Sequence, residues 1–87
     1  MLFVINKIKY DTDKMDLISN KCRYYKCLAT NEVFLYKSKK DNWLLVYKEE
    51  KLKRYTASPL SEEEAQELLL KYDVLAYEKL FGELEEA

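Results

Sequence analysis

The chain contains no histidine, two cysteines and eight tyrosines among its 87 residues. Without an imidazole the commonest general base and a leading metal ligand are missing, and Ser–His and Cys–His nucleophile pairs cannot be built. A single glycine leaves no Gly-rich phosphate loop. Carboxylates are plentiful, but the run Glu62-Glu63-Glu64 is explained by the chemistry of a helix start. Cys22 and Cys27 supply half the ligands of a structural zinc site. They read as two reduced thiols, at least one packed inside, with a local disulfide or a zinc ion shared across a dimer as the alternatives. No catalytic residue, metal site or cofactor is assigned, and the chain reads as a binding protein, not an enzyme.

The charge is sorted along the chain. Residues 1–60 hold 13 Lys+Arg against 7 Asp+Glu, a balance of +6, and residues 61–87 hold 2 against 9, a balance of −7, which together give the net −1. Such an asymmetry points to a charged partner. In the basic part, Tyr24, Tyr25, Tyr36, Tyr47 and Tyr55 are interleaved with Arg23, Lys26, Lys37, Lys48, Lys53 and Arg54. A basic, aromatic sheet of this kind, drawn here from Tyr36, Tyr47, Lys48, Lys53, Arg54 and Tyr55, suits a nucleic-acid backbone with stacked bases. It equally suits a protein interface, where Tyr and Arg serve as anchors. The plain alternative is sheet tyrosines that cover the core edge with their hydroxyls in water. In the acidic part, Glu62, Glu63, Glu67, Asp73 and Glu78 form a candidate binding face able to imitate a phosphate backbone. The alternative there is the solvated face of an amphipathic helix. The two charged regions also allow head-to-tail pairing of copies, so a homodimer is among the expected partners.

These residues must be positioned by a small fold. The length suits one domain, residues 1–87, and 48% hydrophobic against 36% charged residues is foldable composition. No apolar run approaches the ~20 residues that cross a bilayer. Met1–Ile5 is too short for a signal-peptide core, so a cytoplasmic location and no membrane partner are expected. Leu2–Tyr10 reads as a first strand. Asp11 or Thr12 then caps a short helix over Asp13–Ser19. Residues 21–31 read as an irregular strand or loop. Strands follow at Glu32–Lys39, Trp43–Lys48 and Leu52–Thr56, separated by turns at Lys40–Asn42 and Glu49–Lys51. Ser61 with Glu64 forms a capping box ahead of the stripe Ala65, Leu68, Leu69 and Tyr72. Asp73 caps a second helix with Val74, Tyr77 and Phe81, which Gly82 stops, and Glu83–Ala87 reads as an acidic tail. The fold class is α+β: an antiparallel meander of four or five strands, a short helix after strand one, and two C-terminal helices packed on one face. Leu68, Leu69, Tyr72, Tyr77 and Phe81 are expected to meet Val33, Leu35, Leu44, Val46 and Ile5. The face with Trp43, Leu45 and Tyr47 is the alternative, because alternation within one strand does not decide it.

The segments Lys9-Tyr10-Asp11-Thr12-Asp13, Phe34 through Leu45, Pro59 through Ala65, and Tyr77-Glu78-Lys79-Leu80-Phe81-Gly82 stand in an order that resembles a group of small proteins carried by bacterial phages and mobile elements. Members often have glycine in the turn where this chain has Asp41, which implies a different turn type here. The resemblance implies a protein of a bacterial host's cytoplasm, and small charge-split proteins of such elements include inhibitors of host defence, anti-CRISPR proteins among them. The expected function is thus a non-catalytic inhibitor that binds a host protein, such as a defence effector that handles nucleic acid. A small nucleic-acid-binding module and a homo-oligomeric adaptor are the alternatives.

Overall fold

The computed structural model describes residues 1–22, 32–49 and 51–87. Most of the expected irregular stretch, with Tyr24, Tyr25 and Cys27, lies outside the described residues. Strands β1 (Leu2–Ile5) and β2 (Ile8–Asp11) make an antiparallel hairpin. Strands β3 (Asp16–Ser19), β4 (Val33–Lys37), β5 (Trp43–Glu49) and β6 (Arg54–Leu60) make an antiparallel meander in chain order. Helices α1 (Glu62–Tyr72) and α2 (Val74–Phe81) complete the α+β arrangement.

The first 19 residues depart from expectation in two places. The single strand over Leu2–Tyr10 is broken by a two-residue turn, with Asn6 and Lys7 at φ 53° and 64° and Ile5 paired to Ile8. Two successive left-handed residues match the twist of the flanking strands, which is why such turns close tight hairpins, and asparagine tolerates that region well. The helix expected over Asp13–Ser19 is a 3-10 turn, Thr12–Lys14, followed by β3. Two turns of isolated helix have little stability of their own. The same residues gain ladder hydrogen bonds by pairing with β4, Asp16 opposite Lys37 and Leu17 opposite Tyr36. Asp11, expected as a cap, does accept from the Asp13 amide at 3.1 Å, but it starts the 3-10 turn. The last strand begins and ends later than expected. Pro59 sits inside β6, where it is tolerated because β6 is an edge strand with β5 alone beside it.

The β4–β5 register fixes which face is which. Val33 stands opposite Tyr47, Leu35 opposite Leu45, and Lys37 opposite Trp43. Directly opposed residues share a face, so Val33 and Leu35 go with Trp43, Leu45 and Tyr47, not with Leu44 and Val46. The helices cover that face: Cys22, Val33, Leu35, Trp43, Leu45, Ala65 and Leu69 are buried together, flanked by Leu68, Tyr72, Tyr77 and Phe81. The opposite face, Leu44 and Val46, is covered by the hairpin through Tyr10, Phe3 and Ile5. Ile5 therefore packs away from the helices. The sheet is the middle of three layers, and β5 contributes to both cores, with Trp43, Leu44, Leu45 and Val46 all buried. Full burial of each such side chain stabilises by about 1.5–3 kcal/mol.

The helices begin and end as their sequence dictates. The Glu64 amide donates to Ser61 Oγ at 3.1 Å, and the Ser61 amide donates to Glu64 Oε1 at 3.0 Å. Gly82, at φ 102°, donates its amide to the Glu78 carbonyl and ends α2.

Candidate functional site

Glu62, Glu63 and Glu67 lie on α1 with their side chains exposed. Glu62 and Glu63 occupy the first turn, where the positive end of the helix dipole favours them. The capping box uses Glu64 and leaves these three carboxylates facing solvent. The other two residues of the expected acidic face are occupied within the fold. Asp73 is half-buried and joins the helices: its amide bonds the Leu69 carbonyl, and Oδ1 accepts from the Ala76 amide at 3.3 Å. Its Oδ2 accepts from the buried Ser19 hydroxyl at 2.6 Å, which ties the helix junction to β3. Glu78 is half-buried, and its Oε2 accepts from the Leu84 amide at 2.9 Å.

The expected basic and aromatic face is divided by the sheet. Tyr36 packs on the hairpin side beside Leu44 and Val46, whereas Tyr47 packs on the helix side. Lys48 bonds Glu32 Oε2 at 3.2 Å, and the Tyr55 hydroxyl donates to Glu32 Oε1 at 2.8 Å. The Tyr55 hydroxyl and then the Lys48 ammonium hold the Glu32 carboxyl below its ordinary range. Arg54 lies 3.9 Å from Glu49, whose carboxylate also accepts from the Thr56 hydroxyl. Lys53 is exposed in the turn before β6 at φ 48°. The cross-strand pairs thus bring Lys48 and Tyr55 together, and Tyr36 and Tyr47 are on opposite sides.

A different set of lysines converges. An open groove of about 680 Å³ lies between β2 with its following 3-10 turn and the β4–β5 turn. Lys7, Lys9, Lys14, Lys39 and Lys40 line it, with Asp11 as its one carboxylate. All five lysines are exposed, and none has an ion pair among the described residues. Three nearby acids are engaged elsewhere. Asp11 accepts from the Asp13 amide, Asp13 lies 3.6 Å from the amino group of Met1, and Asp41 pairs with Lys37 at 2.9 Å. The β4–β5 turn that presents Lys39 and Lys40 is fixed by Ser38, whose Oγ accepts from the Lys40 and Asn42 amides. Asp41 takes a left-handed φ of 63°, the conformation a glycine there would serve, so the implied change of turn type is not required. Residues 7–14 and 39–40 are far apart in sequence and meet because the hairpin folds over the sheet. The turn at Asn6-Lys7 would reveal the hairpin from sequence, but not its approach to Lys39 and Lys40.

Cys22 is a free and fully buried thiol. Burial raises its pKa, the Ser19 hydroxyl opposes this, and the Asp73 charge adds to the rise. A neutral buried thiol is a poor nucleophile. Among the described residues no group of three His, Cys, Asp or Glu side chains is placed to hold a metal ion, and no helix is long and apolar enough to cross a membrane. No family model matches the chain, and neither does any curated protein or solved structure.

Proposed function

We propose that this chain is a non-catalytic inhibitor that binds a host defence protein which handles nucleic acid, such as a CRISPR effector, through charge-led recognition. One observation carries the reading. Among the described residues the ion pairs all lie within residues 1–60, and none joins that basic part to the acidic segment 61–87. The exposed carboxylates Glu62, Glu63 and Glu67 on α1 therefore keep their field for a partner. Exposed carboxylates on a capped helix, with Glu63 and Glu67 one turn apart on the same side, offer a basic groove the sign of charge that a phosphate backbone would. The resemblance to proteins of phages and mobile elements supplies the biological setting, and the absence of histidine from the sequence supports a role without catalysis.

The test is capture of defence effectors by the purified protein, followed by an inhibition assay with the triple variant Glu62→Lys, Glu63→Lys, Glu67→Lys. These positions are exposed and the cap residues Ser61 and Glu64 are untouched, so the variant should fold, with a helix-start cost of about 0.3–1 kcal/mol at each of Glu62 and Glu63 that melting would register. Loss of capture and of inhibition is expected. Inhibition at the wild-type level would rule out the acidic helix as the recognition surface.

A further inference from the structure

We infer that the lysine-lined groove is a binding site for single-stranded nucleic acid, independent of the acidic helix and of the inhibitory role proposed for it. The groove joins two kinds of surface. Its rim carries Lys7, Lys9, Lys14, Lys39 and Lys40, which rise from the hairpin turn, β2, the 3-10 turn and the β4–β5 turn. The apolar side chains of Ile8, which is exposed, and Met15, which is half-buried, also line it. A double helix shows a protein mainly phosphates on its outside, and a lysine rim alone would serve it. A single strand alternates charged phosphates with flat, largely apolar bases, and a groove lined by cationic and apolar side chains meets both.

The electrostatics favour an anionic occupant. Five ammonium groups face one carboxylate, and that carboxylate is already accepting from a backbone amide. Like charges brought together by folding repel each other, and an anionic ligand relieves that repulsion. The supports are also firm. The β4–β5 turn is held by Ser38, and the hairpin end is closed by Thr12, whose amide and hydroxyl both donate to the Met1 carbonyl. The volume, about 680 Å³, exceeds what one phosphate needs and lies within the range of sites that hold a nucleotide-sized group.

The experiment is fluorescence anisotropy of the full chain with a labelled single-stranded 20-mer, DNA and RNA in turn, across salt concentrations. Each neutralised phosphate of a single strand contributes a slope of about −0.7 in log affinity against log salt, so four or five contacts lose roughly 50- to 130-fold between 50 and 200 mM. The double variant Lys7→Glu, Lys40→Glu should bind at least tenfold more weakly. The variant Glu62→Lys, Glu63→Lys, Glu67→Lys should retain the binding that the groove provides. Because Lys7 and Lys40 are exposed and have no ion pair among the described residues, circular dichroism and melting should match the wild type and separate loss of binding from loss of fold. No binding at 50 mM salt would overturn the inference, as would binding untouched by the lysine reversals. So would equal displacement of the strand by a duplex of the same length, which would show a groove that reads phosphate alone. Light scattering at low salt gives a further outcome. Self-association that the lysine reversals abolish, without any strand binding, would assign the groove to the acidic helix of a second copy.

Discussion

The two faces of the central sheet are covered in different ways. On one face α1 and α2 bury Trp43, Leu45, Val33 and Leu35, and the junction between the helices is fixed by Asp73, which bonds Leu69, Ala76 and Ser19. On the other face a hairpin of two four-residue strands covers Leu44 and Val46 with Tyr10, Phe3 and Ile5. The helix side is held by caps and a larger core, and the hairpin side by a tight turn and one buried tyrosine. The covers also differ in what they show to solvent. The helices present the exposed carboxylates Glu62, Glu63 and Glu67, and the hairpin, with the β4–β5 turn, presents exposed lysines, none of them in an ion pair among the described residues. One small sheet thereby keeps two opposite charges apart, because its layers hold them on different elements.

The largest expected effect lies on the helix side. Trp43 is 2% exposed and stacks on Phe81 at 6.2 Å between centroids. Replacement Trp43→Ala should cost about 3–5 kcal/mol in chemical denaturation, enough to unfold much of a marginal domain. Its indole N–H is buried with no acceptor among the described residues. Trp43→Phe removes that unsatisfied donor along with some contact area, so its cost should be clearly smaller, about 1 kcal/mol. Equal costs for the two variants would show that the stacked ring is not what holds the helices.

Asp73→Ala removes a helix cap and the bond from Ser19, and should cost about 2–4 kcal/mol. Ser19→Ala, which takes away one of those bonds, should cost about 1–3 kcal/mol, and a double-mutant cycle should show coupling. A cost near zero for Asp73→Ala would return this residue to the binding face.

The buried thiol gives a pH test of the same layer. The folded-state pKa of Cys22 is raised, so the folded protein holds its thiol proton more tightly than the unfolded chain. The stability contributed is complete below the unfolded thiol value of about 8.5 and is lost as pH rises through the folded value. Melting temperature should therefore fall more steeply above that pH in the wild type than in Cys22→Ala. Parallel profiles would contradict the burial of the thiol.

The smallest effect belongs to the hairpin. Lys7 holds a left-handed φ of 64°, which costs a lysine about 1 kcal/mol relative to glycine. Lys7→Gly should be neutral or stabilising by up to about 1 kcal/mol while it weakens anion binding, so stability and binding move in opposite directions at one residue.

Much of the helical half was legible in sequence because its signals are local. Ser61 and Glu64 specify a cap by type and spacing, as do Asp73 and Gly82, and all four act as read. The pairing of faces was not legible, because alternation orders residues within a strand and says nothing of parity between strands. That parity depends on the length of the turn from Ser38 to Asn42, which places Leu35 opposite Leu45. The hairpin was missed for a related reason. Lysine is an unusual second residue for a tight turn, and the turn hides inside an apolar run. The candidate site divides similarly. The carboxylates of α1 follow from helix periodicity, but the lysine groove joins residues about thirty positions apart, and no local pattern announces it.

The central claim is that opposite charges remain segregated on the folded surface although the net charge is −1. Ion-exchange retention at pH 7 and low salt tests it most directly. Segregated charge predicts that the wild type is held by both cation and anion exchangers. Reversal of Lys7 and Lys40 should abolish the first retention, and reversal of Glu62, Glu63 and Glu67 the second. A wild-type protein held by the anion exchanger alone, or variants that behave like it on both resins, would contradict the account.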